Sequence, residues 1–211
     1  TTGGNDLPND QSLFEIASIS KIFLGSLVAK AVQKNDISLD DDIRDYLPGD
    51  YPNLEYEGTP VRIKDLLTHT LGFETPPGIG GVYKNIFSGN YDPETMAYNM
   101  DDLFQELAVV ELQHAPGTYY DYSNVGPEIA AYILEQVYGR SYREQLQDLL
   151  KELGMENTYL QDFEMHQDHL VMGYDEEGDP ASIDENPLLG GASGMITTLP
   201  DLAEFMKYQL E

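Results

Sequence analysis

Between Ser18 and Gln33 the segment SISKIFLGSLVAKAVQ is apolar on most of its circumference, through Ile19, Ile22, Phe23, Leu24, Leu27, Val28, Ala31 and Val32. A helix apolar nearly all round is an enclosed one. The segment therefore predicts a central helix that ends at Lys34-Asn35. Ser38 to Asp42 opens a short acidic turn or helix leading to Tyr46-Leu47-Pro48-Gly49, where proline and glycine stop it. Ile63, Leu66 and Leu67 share a face and predict a helix over Arg62 to Thr68. Further helices are expected at Met100 to Leu112, Pro127 to Tyr138 and Tyr142 to Leu153. The second has proline near its first turn and Gly139 just past its end, and Gly154 closes the third. A last helix is expected at Pro200 to Gln209.

The intervening segments carry no such period. From Gly72 to Tyr98 the chain is rich in glycine, proline, asparagine and tyrosine, which predicts a long loop or lid over 72–98. Leu170 to Asp184 reads as a Gly-, Asp- and Glu-rich tail, and Gly190 to Thr198 as a small-residue loop. Two-residue alternation of apolar and polar positions is scarce, so few strands are expected. The fold class that follows is mainly α with little β, in one domain over residues 1–211.

Composition is compatible with this and removes several functions. A hydrophobic content of 41% over 211 residues supports one sizeable core. No stretch approaches the ~18 uninterrupted apolar residues of a membrane span, and TTGGNDLPND lacks the basic and apolar regions of a signal peptide. A net charge of −27 repels phosphate backbones and anionic lipid head groups, so no nucleic-acid partner is expected. A solvated acidic surface explains this charge; adaptation to high salt, where screening removes the self-repulsion, is the sharper alternative. Without cysteine the chain has no disulfide, thiolate metal site or Cys nucleophile. His166 and His169 are spaced like ligands on a helix but lack an evident third, so no metal is expected.

The sharpest chemical feature is Ser18-Ile19-Ser20-Lys21 at the head of the apolar helix. Positions i and i+3 are neighbours on a helix, so the Lys21 amine is brought near the Ser18 hydroxyl. A serine hydroxyl is a poor nucleophile until a base takes its proton, and burial favours the neutral, proton-accepting form of a lysine. The competing reading is a capping serine followed by a solvated lysine; a cation embedded in an apolar helix without a role would be costly. The second feature is Tyr119-Tyr120-Asp121-Tyr122-Ser123-Asn124. Tyr122 and Asn124, two apart in an extended or loop segment, can face one cleft. A phenol beside an ammonium can relay protons, and a carboxamide can hold a substrate amide while bonding the lysine. An aromatic loop packed on the core is the plainer alternative.

Together these residues resemble the β-lactamase and penicillin-binding-protein superfamily, in its class C-like branch of β-lactamases, D-Ala-D-Ala carboxypeptidases, D-aminopeptidases and esterases. Ser18 and Lys21 match its Ser-x-x-Lys motif, and Tyr122-Ser123-Asn124 matches the Tyr-x-Asn motif of that branch. Leu66-Leu67-Thr68-His69-Thr70-Leu71-Gly72 is similar to its Leu-Leu-Thr-His-Thr-Ser-Gly stretch, with Leu71 in place of the serine. Leu153 to Thr158 resembles its Leu-Gly-Met-x-x-Thr segment, and Gly190 to Thr198 with Asp201 to Phe205 its Gly-Gly-x-x-Ser-Thr-x-x-Asp-Leu-Ala-x-Phe block.

The resemblance implies the helical portion of the α/β transpeptidase-like fold, with most of the antiparallel sheet missing. It implies acyl transfer through Ser18, with Lys21 and Tyr122 handling protons and Asn124 binding substrate. The substrate would be a small molecule or peptide: a β-lactam, a D-amino-acid peptide or an ester. No cofactor is implied, and the location would be periplasmic or secreted. The family's third motif, Lys-Thr-Gly or His-x-Gly, lies beyond Glu211, and its first strands precede the Ser-x-x-Lys helix. The chain is therefore expected to be a core segment of a longer enzyme, inactive or very weak alone. A non-catalytic or engineered binding module on a hydrolase-like scaffold is the alternative.

Overall fold

In the computed structural model of the chain, residues 7–88, 97–161, 163–174, 178–181 and 187–210 are described. Among them run α1 (Ser20–Gln33), α2 (Ile63–Thr68), α3 (Pro77–Ser88), α4 (Met100–Leu107), α5 (Val125–Tyr138), α6 (Tyr142–Glu152) and α7 (Leu199–Leu210). The strands are short: β1 (Phe14–Glu15), β2 (Glu55–Tyr56), β3 (Thr59–Pro60), β4 (Thr158–Leu160), β5 (Gly173–Tyr174), β6 (Pro180–Ala181) and β7 (Met195–Thr197). The molecule is mainly α with little β, as the sparse alternation implies.

One small sheet matters for the site. It has the order β1-β7-β4, antiparallel throughout, with Glu15 opposite Ile196 and Tyr159 opposite Ile196 on the other side. Just past β1, the Ile16 N–H donates to the Met195 carbonyl at 3.0 Å, which carries the chain into Ser18 beside the segment that precedes β7. At the other end of β7 a buried polar knot ties α7 to the sheet. Thr158 Oγ1 donates to Asp201 Oδ2 at 2.8 Å and shares a 2.7 Å bond with Thr197 Oγ1. The Asn157 N–H donates to the same Asp201 oxygen at 2.7 Å. One turn later the Phe205 ring stacks on Phe23 of α1 at 3.9 Å, both fully buried. Asp201 and Phe205 of the Asp-Leu-Ala-x-Phe block thus each have a packing reason.

Four expectations need correction. The segment SISKIFLG begins with a 3-10 turn, Ala17–Ile19, and α1 starts only at Ser20. Nor is α1 enclosed all round. Phe23, Leu24, Val28 and Ala31 are buried, while Ile19 and Ile22 stay 46% and 48% exposed. The enclosed helix is α5, in which Val125 to Ala131 are all buried between α1, α2 and α6. Second, 72–98 is not a continuous loop, because α3 lies inside it. Ile79, Val82 and Tyr83 recur at helical spacing and are buried together, a period masked by the surrounding glycines. Residues 89–96 of that segment lie outside the described residues. Third, α4 stops at Leu107 rather than Leu112, and Asn53 Nδ2 donates to the carbonyls of Leu107 and Val110 at 2.8 and 2.9 Å. Those bonds satisfy acceptors that a further turn would have used. Fourth, Gly190–Thr198 is not all loop, since Met195–Thr197 is the central strand of the sheet. The tail after Leu170 likewise holds the β5–β6 pair, and its residues 175–177 and 182–184 lie outside the described part.

The first turn of α5 is clamped on two sides by backbone. A Cβ at Gly126 would lie 2.3 Å from the Leu66 carbonyl oxygen of α2, and one at Gly191 would lie 2.5 Å from the Pro127 carbonyl oxygen. Neither neighbour can swing away, because both are backbone. Gly126→Ala is therefore expected to lower unfolding free energy by about 1–3 kcal/mol, the usual cost of overpacking a filled core. Urea denaturation measures it; an unchanged midpoint would show that the two helices separate freely.

Candidate active site

Ser18 occupies the middle of the 3-10 turn, and the residue before it is strained. Ala17 has φ +42°, a conformation that a Cβ-bearing residue adopts at a cost of roughly 1–2 kcal/mol. A capping role for Ser18 does not hold, since α1 takes Ile19 as its N-cap and receives no side-chain cap bond. The Ser18 hydroxyl is committed elsewhere. Lys21 Nζ donates to Ser18 Oγ at 2.9 Å, and Ser18 Oγ shares a 2.7 Å hydrogen bond with the Tyr122 hydroxyl. Lys21 also donates to the Ala192 carbonyl at 2.7 Å, and its ammonium lies 5.2 Å from the centre of the Tyr122 ring. A residue from the head of α1 thus meets one from the segment before α5 across 104 positions of sequence. Ser18 and Tyr122 are both exposed, so the contact is open to a ligand.

The Tyr122 phenol feels opposing influences. Partial burial pushes its proton affinity up; the hydrogen bonds of Lys21 and Ser18 and the Lys21 charge outweigh this, and the phenol ends below its ordinary value. Its ring is braced by His69, 4.4 Å away between centroids. His69 ends α2 in the left-handed conformation, φ 57°, which turns its ring toward the Tyr122 segment and leaves Nδ1 2.9 Å from the Ser123 carbonyl oxygen. Burial lowers the His69 proton affinity; the Ser123 bond opposes that, and the Lys21 charge adds to it. An uncharged imidazole is the form compatible with a neighbouring ammonium.

Asn124 behaves differently from expectation. It stands at the N-cap of α5 without capping it, and its Oδ1 is buried with no hydrogen-bond partner. The anticipated bond to Lys21 through that oxygen is not made, because the Ala192 carbonyl accepts from the amine instead. Capping falls to Ser123, whose Oγ accepts from the Val125 N–H at 3.2 Å and shares a 3.0 Å bond with Thr75 Oγ1. A buried, unpaired carboxamide oxygen costs about 1–3 kcal/mol.

Sequence reasoning singled out Ser18, Lys21 and Tyr122, whose side chains the structure brings together, and missed the groups around them. His69 was visible only as part of a matched stretch. The Ala192 carbonyl carries no side-chain signal at all. Glu128, an acid inside the otherwise apolar face of α5, was a visible anomaly that went unread. A cavity of about 800 Å³ borders α4, α5 and α6 through Phe104, Tyr132 and Tyr142, and includes none of Ser18, Lys21 or Tyr122. Among the described residues no cluster of three metal-ligating side chains occurs, and the His166 ring is stacked on Tyr159 at 3.7 Å. No described helix is long and apolar enough to cross a membrane.

Known proteins are similar to this chain. Protein flp of Staphylococcus aureus (strain MW2) is 27% identical over 202 residues, covering 93% of this chain and 38% of that protein. The D-alanyl-D-alanine-carboxypeptidase/endopeptidase AmpH of Escherichia coli (strain K12) is 26% identical over 157 residues, covering 74% and 39%. The crystal structure of a class C beta lactamase superposes with a TM-score of 0.76 at 26% identity, covering 96% of this chain and 52% of that one. The chain thus spans well under half the length of these two sequence relatives. A family model described as Beta-lactamase matches residues 2–211, nearly the whole sequence, and on that extent the chain belongs to the Beta-lactamase family.

Proposed function

We propose that the protein carrying this chain is a serine hydrolase that works through an acyl-enzyme on Ser18. What supports the reading is one observation: Ser18 Oγ lies within hydrogen-bond distance of both an amine, 2.9 Å, and a phenol of lowered proton affinity, 2.7 Å. In the first step Ser18 Oγ bonds to the substrate carbonyl carbon as its proton passes to the Lys21–Tyr122 pair. The same pair returns a proton to the departing amine or alkoxide as the carbonyl–heteroatom bond breaks. Water then attacks the Ser18 ester, a proton goes back to Oγ, and the acid is released. Asn124 is the substrate-binding residue of this reading.

Substrates of this reading are amides, β-lactams or esters, and a periplasmic or secreted location belongs to the same proposal. In this reading the Ser18 backbone N–H is one oxyanion donor and the second is assigned to a strand outside residues 1–211, so those residues alone are expected to acylate weakly; losing one such donor costs about 10²–10³ in rate. Turnover of a chromogenic cephalosporin, a D-Ala-D-Ala peptide and a p-nitrophenyl ester by the full-length protein ranks the three classes. With the best of them, Tyr122→Phe is expected to lower kcat/KM by about 10²–10⁴, the range for a lost proton-transfer group. Retention within threefold would remove the phenol from the mechanism.

A further inference from the structure

Within α5, where the helix is most enclosed, stands a carboxyl. Glu128 is 2% exposed, and an isolated buried acid destabilises a fold unless its oxygens are bonded. Both are. The Gly191 N–H donates to Oε2 at 3.0 Å and the Ala192 N–H donates to Oε1 at 2.9 Å. These amides belong to the turn whose Ala192 carbonyl accepts from Lys21 Nζ at 2.7 Å. Carboxyl, turn, amine and Ser18 hydroxyl therefore form one unbroken chain of contacts. The close approach of Gly191 to the Pro127 carbonyl, which leaves no room for a Cβ, sets that turn hard against the helix that carries the acid.

We propose that Glu128 is a positioning residue for Lys21: by gripping the Gly191-Ala192 turn it aims the Ala192 carbonyl at the amine, and its charge acts on that amine across the turn. The proposal rests on the reading of Ser18 and Lys21 given above. Glu128 also lines the cavity bordered by Phe104, Tyr132 and Tyr142, and its contacts reach Lys21 through the Gly191-Ala192 turn. The electrostatics fit a group poised near neutrality. Burial pushes the Glu128 carboxyl up, the two amide donors and the Lys21 charge pull it part of the way back, and it ends raised to about 8, so its charge develops as pH rises through that value. Facing it are Lys21 on α1, Tyr83 on α3 and Tyr142 on α6, with Glu135 farther along its own helix. Both phenols are held protonated, by burial first and by the Glu128 charge second, so Lys21 is the cation of this set.

Attraction between two charges is mutual, and this fixes the signs of the test. In the full-length protein, competitive labelling of Lys21 by acetic anhydride across pH, read by mass spectrometry, follows the amine without using Ser18. Glu128→Gln removes the charge and leaves the amide two roles, one accepting and one donating, where two N–H groups need acceptors. Its Lys21 labelling midpoint is expected to move to lower pH, and acylation of Ser18 by a fluorescent penicillin to slow about tenfold or more. A role confined to stability would lower the melting temperature and leave the labelling midpoint in place; that result overturns the proposal. Should Glu128→Gln fail to fold, ¹³C NMR of the Glu128 carboxyl decides the matter in wild type and Lys21→Met. The carboxyl should titrate at higher pH once the Lys21 charge is gone, and superimposable curves would overturn the link. If Ser18→Ala is labelled by the penicillin as fast as wild type, the nucleophile reading fails by itself, and the two Lys21 measurements still judge Glu128.

Discussion

Alanine at position 18 is expected to abolish covalent acylation of the full-length protein and to reduce turnover of its best substrate by roughly 10³–10⁶-fold, the loss seen when a nucleophile that acts with partners is removed. The size follows from the geometry. Lys21 and Tyr122 converge on Ser18 Oγ, the hydroxyl that both of them bond among the described residues. Stability should hardly change. Ser18 is exposed, caps no helix and lies outside the buried core, so its removal costs two surface hydrogen bonds. A variant that melts with wild type yet no longer takes an acyl group separates chemistry from folding. A variant that still turns over at more than a tenth of the wild-type rate would mean that another group attacks.

Lys21→Met should cost nearly as much, about 10²–10⁴-fold in acylation rate. Methionine keeps the unbranched stem and loses the charge, both hydrogen bonds and the cation held near the Tyr122 ring. The phenol supplies a second readout. Its proton affinity is depressed by the bonds and charge around it, chiefly from Lys21, against the upward push of burial. With Lys21 gone, burial prevails and the Tyr122 titration, followed by its ultraviolet difference absorbance, moves to higher pH. The sign is fixed by which influence is deleted: a depressed group returns upward when its cation leaves. A titration unchanged in Lys21→Met would show that the amine and the phenol do not act as a pair.

Much of this was legible in the chain, and the reasons differ residue by residue. The helices from Pro127 and Tyr142 announce themselves through apolar spacing and Gly139 and Gly154, and the structure begins or ends them within two residues of those signals. The Ser18–Lys21 contact follows from i, i+3 geometry even though Ser18 sits on a 3-10 turn, because one tight turn still brings the two side chains to one side. Strand β7 was hidden. Met195, Ile196 and Thr197 are buried on both faces, so no alternation marks them, and the small residues before them suggest loop. Helix α3 was hidden by glycines that pack in or face open space without breaking the Ile79, Val82, Tyr83 spacing. Asn124 shows a limit of a different kind. Its place beside Tyr122 was readable, but which acceptor Lys21 takes is decided by Ala192, sixty-eight residues farther on by numbering and brought in by the β1–β7 pairing. Backbone acceptors of that sort have no letter in the sequence.

The central claim is that a hydroxyl, an amine and a phenol form one acyl-transfer unit. Its most direct measurement is peptide mapping by mass spectrometry after the full-length protein has been incubated with the acylating substrate and quenched in acid, which preserves the ester. One acyl group per molecule, on the peptide containing Ser18 and absent from Lys21→Met on the same time scale, is the predicted result. An acyl group carried by a different residue, or turnover with Ser18 free at every time point, would contradict it.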